Sequence, residues 1–440
     1  MALNGQNTSN FNLYKPSLKD SPPDITSTNA NWDVIDTELK RLGDVGLPTS
    51  VNNKLPSAVA SMEIKEVYLS PNGNDGASGT ATAPLKTIST AIARFGGTAR
   101  LILRFNSGTY TESNLVIDDD ITIKADKGAT VIIDADEEGR AFIVTSTATI
   151  KDLSITGGMA LDDTSVGGAI LVNGGSLTLN NVNISGSTAG AGGAIGTTAG
   201  SNLTVINSAF NENSGMYGGA IYLASEANIS ECKFNGNSVF GNGGAIYVNT
   251  TSPVTVSSNT FTADSANKGS AMYIENGSPI LSGNVMGEEI IYLGGGSLKT
   301  ILTFIEGKTV NAEFGEEVTL TATLKSEDGN IVQGGIVTFT ANGETIATIS
   351  GDNALQTTFT VPSDATGDIT ISGSYSFDNE GTVVSGKIHP AISYWFIEGG
   401  SGYETLAQAI DAAAAGDVIY YDLPDDYTEV INTKSIAKAL

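Results

Sequence analysis

The chain has 440 residues, enough for two to four domains, each able to bury a core. With 22 Lys and Arg against 48 Asp and Glu its net charge is −26, which repels phosphate backbones and anionic lipid and so excludes nucleic-acid binding. One Cys rules out a disulfide framework or Cys-based metal site, and a lone His389 closes most His-dependent catalysis.

Hydrophobic residues make up 40% and charged residues 16%, a balance that marks folded structure. No run of 18 apolar residues occurs, so no membrane insertion is expected, and no cofactor is expected either. The first residues lack the basic-then-apolar pattern of a signal peptide.

Residues 1–62 are polar and rich in Asn, Ser and Pro, without strand alternation. Within them Trp32, Ile35, Leu39 and Leu42 follow at intervals of three, four and three, the a/d stripe of a short coiled-coil helix capped by Asn29 or Asn31. Such a helix, some 12–14 residues long, is marginal alone and wants a partner, so these four residues are the candidate oligomerisation and anchor set. The run from Tyr14 through Pro22-Pro23 and Trp32 to Leu39 resembles the N-terminal segment of tailed-virus fibre and baseplate-associated proteins. The resemblance implies anchoring to a virion tail or baseplate protein, a homotrimer, and location on the virion with release by lysis, which accords with the absent signal peptide.

Residues 63–297 hold an internal repeat. Gly-Gly-Ala recurs at Gly167, Gly192, Gly218 and Gly243 and degenerates to Gly269-Ser270-Ala271, at intervals of 25, 26, 25 and 26. Behind each lies an apolar alternation, Ile170/Val172, Ile195/Thr197, Ile221/Leu223, Ile246/Val248 and Met272/Ile274, as in a short strand with one buried face. A second set keeps the same register: Ile150-Leu153-Ile155, Leu179-Val182-Ile184, Val205-Ser208-Phe210, Ile229-Cys232-Phe234, Val256-Asn259-Phe261 and Leu281-Asn284-Met286. Strands this short cannot each close a core, but stacked turns of one coil can. The fold class is therefore all-β, a parallel β-helix with roughly eight rungs between about residues 110 and 297, a rod ~40 Å long at ~4.8 Å per strand. The Gly-Gly pairs are expected at corners that need positive φ or close approach.

Phe210-Asn-Glu-Asn213 and Phe234-Asn-Gly-Asn237, each followed by Gly-Gly-Ala-Ile, resemble the FxxN and GGAI repeats of chlamydial polymorphic outer-membrane proteins and archaeal adhesin-like proteins. Val67 to Asp75, Pro84 to Ile92 and Gly108 to Glu112 resemble the opening of pectin-lyase-like β-helices, which implies a right-handed coil. That fold serves lyases, spikes and adhesins alike.

Residues 298–392 lose the period and show longer alternating strands at Glu317–Leu324, Gly335–Thr340 and Asp368–Tyr375, with turns at Asp328-Gly329 and Asn342-Gly343. They read as one immunoglobulin-like β-sandwich and resemble the spacer modules of bacterial and archaeal adhesins. Residues 393–440 echo the coil's opening: Thr405–Ile410, Asp417–Tyr420 and Asp426–Glu429 match Thr87–Ile92, Leu101–Leu103 and Gly108–Glu112. They are expected to start a second, incomplete coil.

The outward position of the Gly-Gly-Ala strand is Tyr222, then Tyr247, Tyr273 and Tyr292. Stacked ~4.8 Å apart, these rings form an aromatic ladder on the outside of the coil, suited to sugar faces or an adjacent subunit. The alternative is that the rings stack on one another and stabilise the sheet. Asn259 and Asn284 read as an asparagine ladder, and Cys232 as a small buried apolar residue.

Acidic clusters at Asp118–Asp120, Asp134/Asp136/Glu137/Glu138 and Asp162-Asp163 could serve polysaccharide cleavage, with Arg140 or Lys151 as base, or Ca²⁺ binding, as could Asn72–Asp75. Asp in corners and turns is also where an acidic protein places it, and solvated turns are the preferred reading. The expectation is a non-enzymatic tail-fibre or receptor-binding protein of a tailed virus that contacts a host cell-surface receptor or glycan. The alternatives are a cellular surface adhesin and a capsule-degrading tailspike.

Overall fold

The computed structural model describes residues 6–7, 14–15 and 64–421, apart from 98–99, 161, 163–164, 379–380, 391–394, 398–401, 404, 415–416 and 418. Trp32, Ile35, Leu39 and Leu42 lie outside the described residues. The chain divides into two compact units, residues 1–63 and 64–440. In the first, Gln6–Asn7 pairs antiparallel with Tyr14–Lys15.

The second unit opens with strand Ile64–Leu69, helix Ile88–Phe95 and strand Arg100–Phe105, the two strands parallel. The Thr87 hydroxyl accepts the Thr90 N–H and starts the helix, which turns Ile88 and Ala91 into the core. Asp75, one of the Ca²⁺ candidates, is committed here: its Oδ1 accepts the N–H groups of Lys86 and Thr87, and its Oδ2 the Thr87 hydroxyl.

From there the chain winds as a parallel coil. In its middle one turn is four short strands, Asn202–Ile206, Ala209–Asn211, Ser214–Tyr217 and Ile221–Leu223, and the next is Glu226–Ser230, Lys233–Asn235, Ser238–Asn242 and Ile246–Asn249. Three of the four corners of the first of these turns contain a residue with positive φ: Asn207 at 49°, Glu212 at 54° and Gly218 at 64°. Four strands and their corners consume about 25 residues, which is the origin of the repeat.

The Gly-Gly pair divides two tasks. Gly218 supplies the left-handed corner, and Gly219 supplies clearance, because a Cβ there would stand 2.2 Å from the Gly244 carbonyl oxygen of the next turn.

Pairing between turns keeps like residues in register. Ile170, Ile195, Ile221, Ile246, Met272 and Ile291 pair in succession within a nine-stranded sheet that runs from Leu115–Ile117 to Val332–Gly334. Ile150, Leu179, Val205, Ile229, Val256 and Leu281 form the second expected column. Phe210, Phe234 and Phe261 stack face to face inside, with centroids 5.0 and 4.8 Å apart. Each such contact contributes about 0.5–1.5 kcal/mol beyond the area it buries.

Residues 298–390 form two sheets. One contains Gln356–Thr360, Glu317–Ser326, Thr300–Phe304 and Thr382–Val384; the other contains Thr309–Ala312, Gly386–Pro390, Ile369–Tyr375, Ile336–Ala341 and Glu344–Ser350. Leu302, Phe304, Leu320, Val337, Phe339 and Ile371 are fully buried between them. Asn342 at φ 50° and Gly343 at φ 88° make the expected tight turn of a hairpin.

The two sheets do not by themselves show an immunoglobulin-like module separate from the coil. The buried residues of the two sheets belong to the same hydrophobic cluster as those of the coil, and both lie in one compact unit. Val332–Gly334 leaves the sheets to pair in parallel with Ile291–Leu293 of the coil. The physical reason is the coil's open end, whose unpaired strand edge and inward polar groups need cover.

Beyond residue 392, helix Leu406–Ala412 starts at a threonine N-cap, Thr405, as the opening helix does at Thr87, here with a capping box through Gln408. Its flanking strands, Trp395–Ile397 and Ile419–Tyr421, pair antiparallel where the opening pair is parallel. The echo therefore extends to the helix and its cap, and not to the strand pairing.

The turn at Asp328 closes the coil. Its Oδ1 accepts the Gly283 N–H at 2.8 Å, and its Oδ2 accepts the Asn284 N–H at 3.3 Å. Replacing Asp328 by Ala leaves those donors unpaired, and thermal or urea unfolding is expected to show a loss of about 1–3 kcal/mol.

Candidate functional site

The FxxN motif is the first feature the coil explains. Its Phe fills the stack, and its fourth residue turns inward: Asn213, Asn237, Asp264 and Glu289 occupy one corner on successive turns. Asn213 and Asn237 are fully buried. Asn213 gives its Nδ2 hydrogens to the Ile184 carbonyl and to Asn237 Oδ1, both at 3.0 Å; Asn237 gives its own to the Phe210 carbonyl at 3.0 Å and to Asp264 Oδ1 at 2.9 Å. The expected ladder of Asn259 and Asn284 stands at another corner, with Asn259 Nδ2 donating to Asn284 Oδ1 at 3.0 Å. Cys232 lies in that column, buried, with its thiol pushed up to about 11 by burial, so it is a packing residue.

The tyrosine ladder exists, but its rings are covered. Tyr222, Tyr247, Tyr273 and Tyr292 stack with centroids 5.5, 5.1 and 5.3 Å apart, as the spacing predicts. An open sugar platform is nevertheless excluded for the upper three, of which only 8%, 8% and 6% of the surface is exposed. Tyr217 sits edge-on against Tyr247, the Gly294 backbone lies against the Tyr273 phenol, and the Lys268 ammonium rests 4.3 Å from the Tyr292 ring centre. Lys268 also pairs with Asp352 of the two-sheet region at 3.6 Å. Burial, with Glu275 adding, pushes the Tyr273 phenol up to about 12, so it stays protonated. The ladder is a rib of the fold, the second of the two readings above.

The acidic clusters are spread over different corners. Asp134 Oδ1 accepts the Asp136 N–H at 3.0 Å, and Asp136 and Glu137 both take positive φ in that turn. Arg140, the candidate base, gives its Nε hydrogen to the Gly167 carbonyl at 2.9 Å and its Nη2 to Val166 at 3.1 Å. Among the described residues no group of three or more His, Cys, Asp or Glu is placed to hold a metal ion. His389 Nδ1 lies 2.8 Å from Asp368 in the second sheet of the 298–390 region, beside the Lys387–Asp368 ion pair.

The surface feature that sequence reasoning missed is Phe240, whose side chain is 98% exposed. A bulge puts it there. Gly215 pairs with Val239 but Tyr217 pairs with Asn242, so strand Ser238–Asn242 carries one residue more than its neighbour. An extra residue re-aims side chains, and this one throws Phe240 clear of the sheet.

Beside Phe240 runs a groove of about 500 Å³ lined by Thr188, Ser214, Ser238 and Ser265 with Ala160, Ala189 and Met216. The four hydroxyl residues are one per turn, thus ~4.8 Å apart, and Thr188 bonds Ser214 at 2.9 Å. A signal was present in the intervals: Ser214 to Ser238 is 24 residues, whereas Gly218 to Gly243 is 25. A polar trough of about 420 Å³ follows another corner, where Asn181 Nδ2 donates to Asp152 and Asn183 Oδ1 accepts from Asn211.

A family model described as a right-handed β-helix region matches residues 140–305. No curated protein matches the chain. Among solved structures, pectate lyase Pel9A is 15% identical, with 62% of this chain and 74% of that one covered at a TM-score of 0.36. Pectin methylesterase PemA from Erwinia chrysanthemi is 10% identical over 61% and 87% at 0.33, and a rhamnogalacturonan lyase 11% over 68% and 79% at 0.29. At such scores nothing of those proteins' chemistry carries over. The family match and the strand register together define a right-handed parallel β-helix.

If the tyrosines are a structural rib, Tyr247→Ala should lower stability by about 3–5 kcal/mol in chemical unfolding, and Tyr247→Phe by no more than about 1.5 kcal/mol. An alanine variant as stable as the parent would return the ladder to the surface.

Proposed function

We propose that this chain is a non-enzymatic attachment protein of the tail-fibre type, in which the coil is a stiff shaft and the strip around Phe240 binds a host-surface glycan. The observation that carries the reading is Phe240 itself, 98% exposed beside a row of hydroxyls repeating once per turn. A bare aromatic face costs free energy in water and gains it by stacking on the apolar face of a sugar ring. Hydroxyls repeated once per turn offer hydrogen-bonding groups at regular intervals along an extended chain of sugars. The net charge of −26 disfavours anionic glycans, so a neutral polysaccharide fits best.

The resemblance of the N-terminal run to fibre and baseplate segments supports the virion setting, with a homotrimer joined through Trp32, Ile35, Leu39 and Leu42. The non-enzymatic part is supported by the engagement of Asp134 and Arg140 in backbone hydrogen bonds.

Affinity electrophoresis against a panel of immobilised neutral polysaccharides tests the site. The parent protein should be retarded by at least one of them, Phe240→Ala should weaken that retardation tenfold or more, and Phe240→Trp should keep it, with all three equally folded by circular dichroism. Equal retardation of the alanine variant would remove the site. Release of sugar fragments by the parent, lost in Asp134→Ala, Asp136→Ala or Glu138→Ala, would instead establish an enzyme.

A further inference from the structure

The inward column Asn213, Asn237, Asp264, Glu289 has a regular grammar up to its third member. In each asparagine, Oδ1 accepts the backbone N–H of the turn below, and Nδ2 donates both to a carbonyl of that turn and to the side-chain oxygen above. Asp264 keeps the first half: its Oδ1 accepts the Asn237 N–H at 2.8 Å and the Asn237 Nδ2 at 2.9 Å. Glu289 continues it, with Oε1 accepting the Asp264 N–H at 2.9 Å.

The second half fails. Where both asparagines carry a donor nitrogen, Asp264 carries Oδ2, an acceptor, and Oδ2 is buried without a partner. Glu289 Oε2 is buried without a partner as well. Asp264 is only 6% exposed, and its Oδ2 is out of reach of bulk solvent. The groups that act on its charge are Asn237 from the turn below, the backbone of Thr262 on its own strand, and Glu289 from the turn above; the titratable one, Glu289, is of like charge.

We propose that Asp264 binds a proton on Oδ2 and donates it to the Glu289 carboxylate, so that a carboxylic acid makes the upward one of the two donations an amide makes there, while the Phe234 carbonyl below accepts the Thr262 hydroxyl. The upper coil then contains a proton-binding site, independent of any ligand at Phe240. Burial, with the Glu289 charge adding, pushes the Asp264 carboxyl up to about 7. In the unfolded chain the same group titrates near ~3.9. The folded value being the higher, the stabilisation is complete below about pH 4, is lost as pH rises from there to about 7, and stays lost above.

Thermal unfolding of the full chain from pH 4.5 to 8.5 tests the site, with Asp264→Asn as the decisive variant. An amide there donates at every pH, so the melting temperature of the variant minus that of the parent should widen by about 3 °C or more between pH 5 and 8 and level off above about 7. Glu289→Gln removes the like charge and should move that window to lower pH. Isotope-edited infrared spectra of the parent at pH 6 should contain a protonated-carboxyl band that Asp264→Asn lacks.

A difference that stays constant with pH, or an unmoved window in Glu289→Gln, overturns the proposal. So does a Ca²⁺-dependent rise in melting temperature at pH 8 in the parent but not in Asp264→Asn, which would assign the two oxygens to a cation.

Discussion

Everything in the larger unit depends on parallel strands repeating in register, so that each inward side chain rests on its counterpart one turn away. At a spacing of ~4.8 Å this rewards only residues that pack well on their own kind. Branched aliphatics, flat phenyl rings and primary amides all do, and they are the column residues: the isoleucines of the Gly-Gly-Ala strand, Phe210, Phe234 and Phe261, and the two asparagine ladders. The amides matter most. A buried polar group is tolerable when every lone pair and hydrogen is used, and a stack of amides on successive turns does this indefinitely.

Indefinite stacking creates the problem of the ends. A parallel coil stops with an unpaired edge and an unfinished ladder, and the chain finishes both from outside the repeat. Helix Ile88–Phe95 packs Ile88 and Ala91 into the core at the first strands. At the other end Val332–Gly334 adds the last strand to one sheet, and Asp328 accepts the donors of Gly283 and Asn284. The two-sheet region is thus part of the coil's termination. That is why its hydrophobic residues join those of the coil in one cluster.

The coil and its columns were legible in the sequence because both come from local repetition: a 25-residue period, a two-residue alternation and a glycine pair at one corner of each turn. The candidate sites were less so. Tyr222, Tyr247, Tyr273 and Tyr292 do point away from the main core and stack as expected, yet what covers them is Tyr217, Gly294, Lys268 and Asp352, brought there by the turns and by the two-sheet region. Outward orientation follows from alternation; exposure depends on neighbours distant in the chain. Phe240 was missed for the converse reason. Its position counts as one residue among many in a strand until the bulge opposite Met216 turns it out.

The sequence by itself determined that the middle of this chain coils, where its corners fall and which residues form its columns, because stacking like on like is written as a period. Tertiary structure alone decided which outward residues stay open, how the coil ends, and that an aspartate and a glutamate meet at the top of an amide ladder, each with one buried oxygen that no side chain or backbone donor reaches. Those outcomes depend on which groups arrive from other turns and from the two-sheet region, and a repeat specifies its own next turn without specifying what closes over it.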